Sequence, residues 1–190
     1  MPVLADSFFS ETRYTEYYKA IQASMFQLSL RSDTLFIGQQ VRAQDFYGTL
    51  VDVPLDKRIE MPVAEEMQMG FCTGLALEGF LPICIFQRMD FLYRAMDQMC
   101  NHLSLLPEMS RGVFRPKVII RTTIGNDCPL NPGPQHTQDL TTVFQEALRF
   151  PVIRVQSPEE VKNAYEFALE SDTSTLIIED QKLYSEECIR

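Results

Sequence analysis

The chain has 190 residues, a formal net charge of −9, 45% apolar residues and 23% charged residues. This composition is ordinary for one globular domain, and it excludes wholesale disorder. The negative charge, with no run of lysine or arginine, argues against nucleic acid or an anionic membrane as a partner.

The five cysteines show no CxxC spacing, and Cys72 and Cys84 lie inside apolar segments. This pattern favours a reducing compartment over a disulfide framework. Because the two histidines are far apart, a zinc site is not expected. Asp6 and Glu11 interrupt any signal-peptide pattern, and no apolar stretch is of membrane length. We therefore expect a cytoplasmic protein without a membrane partner.

Apolar periodicity predicts helices that alternate with short buried strands along the chain. The predicted helices are residues 14–30, the segment 58–79, 89–106, about 139–148 and a helix that begins after Ser157. The predicted strands are residues 34–37, 81–86, 117–122, 152–155 and 175–179. Residues 42–57 are expected to form a loop, and the long Gly/Pro/Asn-rich loop 123–138 is a functional candidate. This alternation predicts an α/β fold with a mostly parallel sheet and helices on both faces.

Local signals predict several element ends. Thr15 is a plausible N-cap, and Ser157 with Glu160 forms a capping box in SPEE. Gly79 suits a left-handed C-cap after the segment 58–79. Pro82 in LPICIF suits a strand at a sheet edge.

A narrow apolar seam runs along residues 89–106, at alternating steps of three and four as in a coiled coil. Its residues are Met89, Leu92, Met96, Met99, Leu103 and Leu106. Because methionine side chains are flexible and suit buried contacts, this seam is a candidate assembly surface.

Four segments in order carry a family resemblance: MPVAEEMQMGFCTGLALEG, PICIFQRMDFLYRAMDQMCNH, KVIIRTTIG…GPQHTQDL and SPEEVKNAYEFAL. Together they resemble the pyrimidine-binding domain of thiamin-diphosphate enzymes, most of all the beta subunit of the E1 component of 2-oxo acid dehydrogenases. The resemblance runs from about residue 15 to about residue 184. It implies a single pyrimidine-binding domain over 1–190, with 1–13 as an N-terminal extension and without the C-terminal domain that usually follows.

The resemblance implies a catalytic role for Glu65 in the adjacent pair Glu65 and Glu66. In the family a glutamate at the head of this helix hydrogen-bonds the aminopyrimidine of thiamin diphosphate and favours the tautomer that can deprotonate the thiazolium ring. Glu66, about 100° further round the helix, is expected to face solvent or a partner chain. Residue type alone favours a plainer interpretation, an acid placed at a helix N-terminus by the helix dipole.

The resemblance also implies roles for four further residues. Phe91 would stack on the aminopyrimidine, for which an aromatic ring is well suited, and Gln87 would line the same pocket. His136 matches a loop histidine on the substrate side of the channel, where an imidazole can move a proton near neutral pH. Arg94 could reach an anionic substrate or an acid of a partner chain, although a solvated face is an equal alternative.

Glycines four residues apart, Gly70 and Gly74, leave a bare stripe on the helix of Glu65. In the family such a face packs against a second subunit. Tight packing inside the same domain is the alternative.

The sequence departs from the family pattern at Gln39, where relatives carry an acid that helps to organise the cofactor site. Glutamine keeps hydrogen-bonding ability and loses the charge. A Gly-Asp-Gly motif followed by Asn, which holds the diphosphate and its Mg2+ in the family, does not occur in these 190 residues. The resemblance therefore implies an E1 alpha-like partner chain that carries this motif and the Mg2+, and a homo- or hetero-oligomer.

The leading hypothesis is a subunit of a split thiamin-diphosphate enzyme, inactive without its partner, that oxidatively decarboxylates a 2-oxo acid and passes the product to a lipoyl group. Transketolase-type carbon–carbon transfer is the alternative within this class. A non-catalytic scaffold or regulatory subunit of the same fold is the second hypothesis. A flavodoxin-like small-molecule binder would explain the alternation of strands and helices but none of the motifs.

Overall fold

A computed structural model describes residues 13–125, 127–128 and 131–189, so the predicted N-terminal extension lies, except for Arg13, outside the described residues. In the described chain six strands form one sheet in the order β2-β1-β3-β4-β6-β5, and every neighbouring pair is parallel. The strands are β1 (Thr34–Gly38), β2 (Arg58–Glu60), β3 (Leu81–Phe86), β4 (Ile119–Ile124), β5 (Val152–Val155) and β6 (Thr175–Asp180).

Helices connect most of these strands. The α-helices are α1 (Glu16–Ser29), α2 (Glu65–Leu77), α3 (Leu106–Met109), α4 (Thr141–Ala147), α5 (Pro158–Glu170) and α6 (Glu186–Ile189). Short 3-10 helices cover Leu55–Lys57, Met89–Ala95 and Gln181–Tyr184, and a π-helix covers Gln98–Leu103. No helix among the residues that the structure describes is long and apolar enough to cross a membrane.

An apolar core lies on each face of the sheet. Ile83 and Ile85 of β3 point to the core beneath α1 and α5, whereas Cys84 and Phe86 point to the core beneath α2 and α4. This alternation follows from the two-residue period of a strand, and burial on both faces explains why the strands are apolar throughout. The predicted α/β fold with a parallel sheet is confirmed.

The predicted caps of the two long outer helices form as expected. The side chain of Thr15 accepts a hydrogen bond from the Tyr18 amide (3.2 Å), and that of Ser157 accepts one from the Glu160 amide (3.2 Å). The carboxylate of Glu160, however, reaches the amide of Gln156 (2.8 Å), one residue before the position that a standard capping box uses.

Pro82 lies in the interior of the sheet, so the expectation of an edge strand is wrong. The proline is tolerated because the pairing of β3 with β4 begins only at Ile83, whereas Pro82 is aligned with Leu35 of β1. The helix predicted over 58–79 is wrong at its start, where Arg58–Glu60 forms the edge strand β2 and α2 begins only at Glu65. This strand has three residues and directly follows the predicted loop 42–57.

The single long helix predicted over 89–106 is wrong, because the chain winds first more tightly and then more widely than an α-helix. Met89, Leu92 and Met99 are completely buried in the core of their own domain, and Leu103 is nearly so. The seam is therefore part of the fold, and its assignment as an assembly surface is also wrong.

A disulfide joins Cys128 to Cys188, although the cysteine pattern favoured a reducing compartment over a disulfide framework. The two cysteines are 60 residues apart in sequence. They meet because the loop after β4 and the helix α6 after β6 both lie beyond the carboxyl ends of neighbouring strands. Cys72 and Cys84 are free and buried, as their apolar surroundings predicted.

Candidate functional site

The candidate site lies at the carboxyl edge of the sheet. Gln39 follows β1, Gln87 follows β3, and the loop that carries His136 follows β4. In a parallel sheet the carboxyl ends of neighbouring strands lie side by side, and ligands bind there in many α/β proteins. Residues far apart in sequence are thus brought to one edge.

Glu65 is the first residue of α2 and is only 3% exposed. Gln39 Nε2 donates to its Oε1 at 3.3 Å, whereas its Oε2 has no hydrogen-bond partner among the described residues. Arg94, whose side chain is exposed, places Nε 3.6 Å from Oε2 as a long ion pair. Gln68, buried in the same helix, anchors α2 on the sheet by donating to the Ile85 carbonyl (2.8 Å). Glu66 is exposed, as predicted.

An open cavity of about 460 Å³ begins at Glu65. Gly70, Arg94 and Gln98 line it as well. A side chain at Gly70 would place its first carbon 3.2 Å from Gln98 Oε1, so a glycine keeps this wall open. Sequence reasoning gave Gln98 no role, although it belongs to the DQ part of the quoted motif.

Phe91 and His136 form a second group at this edge. Their rings meet edge to face with centroids 5.6 Å apart. The loop of His136 is held on the turn of Phe91 because the side-chain amide of Gln138 donates to Asp90 Oδ1 (3.0 Å). The hydroxyl of Thr123 donates to the Gln87 carbonyl, which fixes the start of the same turn. Among the described residues, no hydrogen bond or ring contact joins Phe91 or His136 to Glu65.

Buried polar atoms without a partner are concentrated at this edge, and such atoms in a folded protein call for an explanation. Within the described chain they include Glu65 Oε2, Arg88 Nε, Asp90 Oδ2 and His136 Nδ1. Arg88 and Asp90 were not singled out from the sequence, although both belong to the quoted FQRMDF segment. His102, in contrast, is exposed and pairs with Asp97 (3.3 Å), away from these groups.

Residues 19–186 match the family model described as the transketolase, pyrimidine binding domain. The chain belongs to this family. The flavodoxin-like interpretation is therefore replaced, and the predicted resemblance is confirmed.

Curated relatives of this pyrimidine-binding domain include beta subunits of the pyruvate dehydrogenase E1 component. The mitochondrial protein of Ascaris suum is 26% identical over 178 residues, which are 87% of this chain and 47% of the relative. The chloroplastic beta-3 protein of Oryza sativa subsp. japonica is 28% identical over 127 residues, 67% of this chain and 32% of the relative. The chain thus spans less than half the length of these relatives.

A solved structure titled "Split gene transketolase, inactive beta4 tetramer" has the same fold, with a TM-score of 0.65 and 16% sequence identity. It covers 86% of this pyrimidine-binding domain, which in turn matches 50% of that chain. At this identity the likeness establishes the fold alone.

The outward face of α2 in this pyrimidine-binding domain is apolar and uncovered. Met67 is 51% exposed and Phe71 is 41% exposed. A side chain at Gly74 would meet none of the described residues within 4 Å. The interpretation of these glycines as tight packing within the domain therefore holds for Gly70, which faces Gln98. It does not hold for Gly74.

Proposed function

We propose that this chain supplies the aminopyrimidine half of a thiamin-diphosphate site in a split enzyme that acts on 2-oxo acids, as an E1 beta-like subunit. The observation that carries the proposal is Glu65, a buried carboxylate at the head of α2 beside an open cavity, one oxygen of which has no hydrogen-bond partner among the described residues. Burying a carboxylate without satisfying it is unfavourable, so its retention favours a ligand that completes it.

The residues present fit thiamin diphosphate. Bound to the protein, this cofactor supplies a carbanion that attacks a carbonyl carbon and stabilises the charge left after carbon dioxide departs. Glu65 would share a proton with a ring nitrogen of its aminopyrimidine through the unpartnered Oε2. Gln39, which donates to Oε1, would hold the carboxylate in position without adding a second negative charge.

The second group would serve the ring and the substrate. Phe91 would stack on the aminopyrimidine, Gln87 would line that pocket, and His136 would hold or release a proton beside the substrate. The edge-to-face contact with Phe91 fixes the imidazole, and its buried Nδ1 is unpartnered among the described residues. Arg94 would leave Oε2 when the cofactor enters and would then face an anionic group, because its side chain is exposed and its ion pair is long.

The diphosphate and Mg2+ would be held by a second chain, E1 alpha-like, with a Gly-Asp-Gly…Asn motif that does not occur in these 190 residues. The uncovered face of α2 around Met67, Phe71 and Gly74 is a candidate surface for this assembly, as contiguous exposed apolar patches mark interaction sites. On this proposal the chain is inactive alone, and its single domain works as part of an oligomer. A cytoplasmic location stays a prediction, which cell fractionation tests.

A non-catalytic scaffold of the same fold is the second candidate. Arg94 favours it, since an arginine beside Glu65 competes with a ring nitrogen for the same oxygen. Transketolase-type transfer would use the same Glu65, but it would pass a carbon fragment from donor to acceptor without release of carbon dioxide.

Affinity capture from the source cell extract, with thiamin diphosphate and Mg2+ present, tests the proposal. We expect mass spectrometry to identify a retained chain with the Gly-Asp-Gly…Asn motif, and the complex to decarboxylate a 2-oxo acid. Turnover of a ketose phosphate by the same complex would select the transketolase alternative. Recovery of this chain alone, or of a complex without turnover, would support the scaffold.

A further inference from the structure

Three arginines among the described residues are not exposed: Arg58, Arg88 and Arg121. Arg58 is paired with Asp45, and Arg121 forms two hydrogen bonds with Glu179 at 2.7 and 2.8 Å. Arg88 has no carboxylate within 4.0 Å in the part of the chain that the structure describes. A partly buried cation without a counter-ion lowers the stability of the fold, and an anion bound beside it would offset that loss.

Arg88 stands on the turn that carries the proposed cofactor residues. It follows β3 directly after Gln87, and its carbonyl accepts a hydrogen bond from the Phe91 amide (3.1 Å). The Nε of Arg88 is buried and has no hydrogen-bond partner among the described residues. The backbone hydrogen bond of this turn therefore fixes the position from which the Arg88 side chain extends.

Tyr47 lies on a strained turn, and its side chain is close enough to that of Arg88 for the two to interact. Residues 45–48 all have positive φ angles: 46° at Asp45, 43° at Phe46, 57° at Tyr47 and 76° at Gly48. Left-handed backbone costs about 1–2 kcal/mol for a residue with a side chain, and such strain gathers at functional sites.

Several contacts hold this turn in its strained form. The buried Arg58 guanidinium donates to Asp45 and to the Val53 carbonyl, and Tyr18 donates its hydroxyl to the Tyr47 carbonyl (3.0 Å). Gln22 donates to the Gly48 carbonyl (3.0 Å). These contacts fix the backbone from which the Tyr47 side chain extends. Burial raises the pKa of Tyr47, against the opposite effect of the nearby Arg88 charge, so its hydroxyl keeps its proton as a donor.

We propose that Arg88 and Tyr47 bind the carboxylate of the substrate and so select 2-oxo acids, which makes them specificity-determining residues. A guanidinium offers two parallel N–H donors that match the two oxygens of a carboxylate, and the phenol adds a third donor. The pair stands on the loops after β1 and β3, which also carry Gln39 and Phe91. This inference rests on the proposed function for the identity of the anion, but the anion site itself stands on Arg88 and Tyr47.

NMR of the full chain tests the anion site without a cofactor. The side-chain Nε–H signal of Arg88 is assigned by its loss in Arg88→Gln and is followed during titration with pyruvate, with uncharged methyl pyruvate and with inorganic phosphate, at constant ionic strength. We expect pyruvate to move the signal and methyl pyruvate to leave it in place. A signal that pyruvate does not move, or that phosphate moves at lower concentration than pyruvate, overturns the carboxylate assignment.

Kinetics of the captured complex separate this inference from the proposed function. Arg88→Gln is expected to lower kcat/KM for the 2-oxo acid about 100-fold, mainly through KM, and to leave the Kd for thiamin diphosphate unchanged. Arg115→Gln, an exposed arginine at the opposite edge before β4, is the matched control. If Glu65→Gln abolishes turnover while Arg88→Gln is silent, the function stands and the substrate assignment falls. If Glu65→Gln is silent while pyruvate still moves the Arg88 signal, the anion site stands and the proposed function falls.

Discussion

Neighbouring glutamates at the head of α2 differ in burial, although both line the same open cavity. Glu65 is buried with one unpartnered oxygen, whereas Glu66 is exposed to solvent. One residue corresponds to a rotation of about 100° on a helix, which is enough to turn one side chain into the domain and the other away from it. A charged residue in an environment that is unfavourable for its charge is typical of a functional site.

Substitution of Glu65 therefore has two expected effects of opposite sign. Glu65→Gln should lower turnover of the assembled complex at least about 100-fold, because proton transfer at a positioned carboxyl is lost. In the isolated chain the same change should raise the free energy of unfolding by about 1 kcal/mol, because it removes a poorly satisfied buried charge. Steady-state assays and urea unfolding measure the two effects.

Glu66→Gln is the matched control, since it makes the same chemical change on the exposed neighbour. It should alter neither turnover nor stability beyond about 0.5 kcal/mol. A clear loss of stability in Glu65→Gln, with unchanged turnover, would instead show that Glu65 is a structural residue.

At the level of elements, the sequence predicted most of the sheet because buried parallel strands are short apolar runs with helices between them. The strand β2 could not be predicted in this way, because its three residues are too few to show a periodic pattern. It is a strand through its pairing with β1. Met89–Leu103 was predicted as a regular helix because its apolar spacing is helical. The tighter turns at Met89–Ala95 are held to the loop after β4 by contacts such as that of Asp90 with Gln138, which apolar spacing does not encode.

The site was predicted only in part for the same reason. The resemblance identified Glu65, Gln39, Phe91 and His136 as candidates, and the structure brings Gln39 to Glu65 and His136 to Phe91. Arg88 was missed, because its missing counter-ion is a property of the folded chain and not of the sequence.

The uncovered face of α2 leads to a prediction about assembly. Gly74→Leu should raise the free energy of unfolding of the isolated chain by about 0.8 kcal/mol, because leucine is a better helix former and the position is open. The same side chain should weaken association with the partner chain, or with a second copy, at least tenfold, because it fills the bare stripe. Urea unfolding and sedimentation velocity measure the two effects.

Gly74→Ala is the matched control for Gly74→Leu. It should give about the same gain in stability, or slightly more, with a smaller effect on association, since it adds one methyl group. If Gly74→Leu associates as tightly as the unchanged chain, the assembly surface lies elsewhere than on this face of α2.

At the scale of the whole molecule, one buried polar network joins several elements on the face of the sheet that α1 and α5 cover. Arg121 of β4 pairs with Glu179 of β6, and both are completely buried. Glu179 also accepts hydrogen bonds from the hydroxyls of Tyr165 in α5 and Tyr184 after β6. Tyr17 of α1 donates to the Val155 carbonyl (2.9 Å) and so joins α1 to β5. A buried ion pair of this kind is costly unless each group is hydrogen-bonded, and here the tyrosines supply the bonds to Glu179.

The tyrosines of this network make stability depend on alkaline pH. Burial, and then the negative charge of Glu179, raises the pKa of Tyr17, Tyr165 and Tyr184 well above its usual value of about 10. The folded chain therefore keeps protons that the unfolded chain releases above pH 10. Their stabilisation is complete below that pH and is lost as the pH rises, by up to about 1.4 kcal/mol per pH unit for each tyrosine.

Urea unfolding between pH 9 and pH 11.5 measures this loss. We expect the free energy of unfolding to fall with a steepening slope above pH 10. Tyr184→Phe should reduce this slope by the equivalent of about one bound proton, whatever its effect on stability at pH 8. Tyr93→Phe, at a position that is 48% exposed, should leave the slope unchanged. A flat profile above pH 10 would mean that these hydroxyls ionise as readily in the folded chain as in the unfolded one. That result is incompatible with a closed network around Glu179, because a phenolate there would face a buried carboxylate.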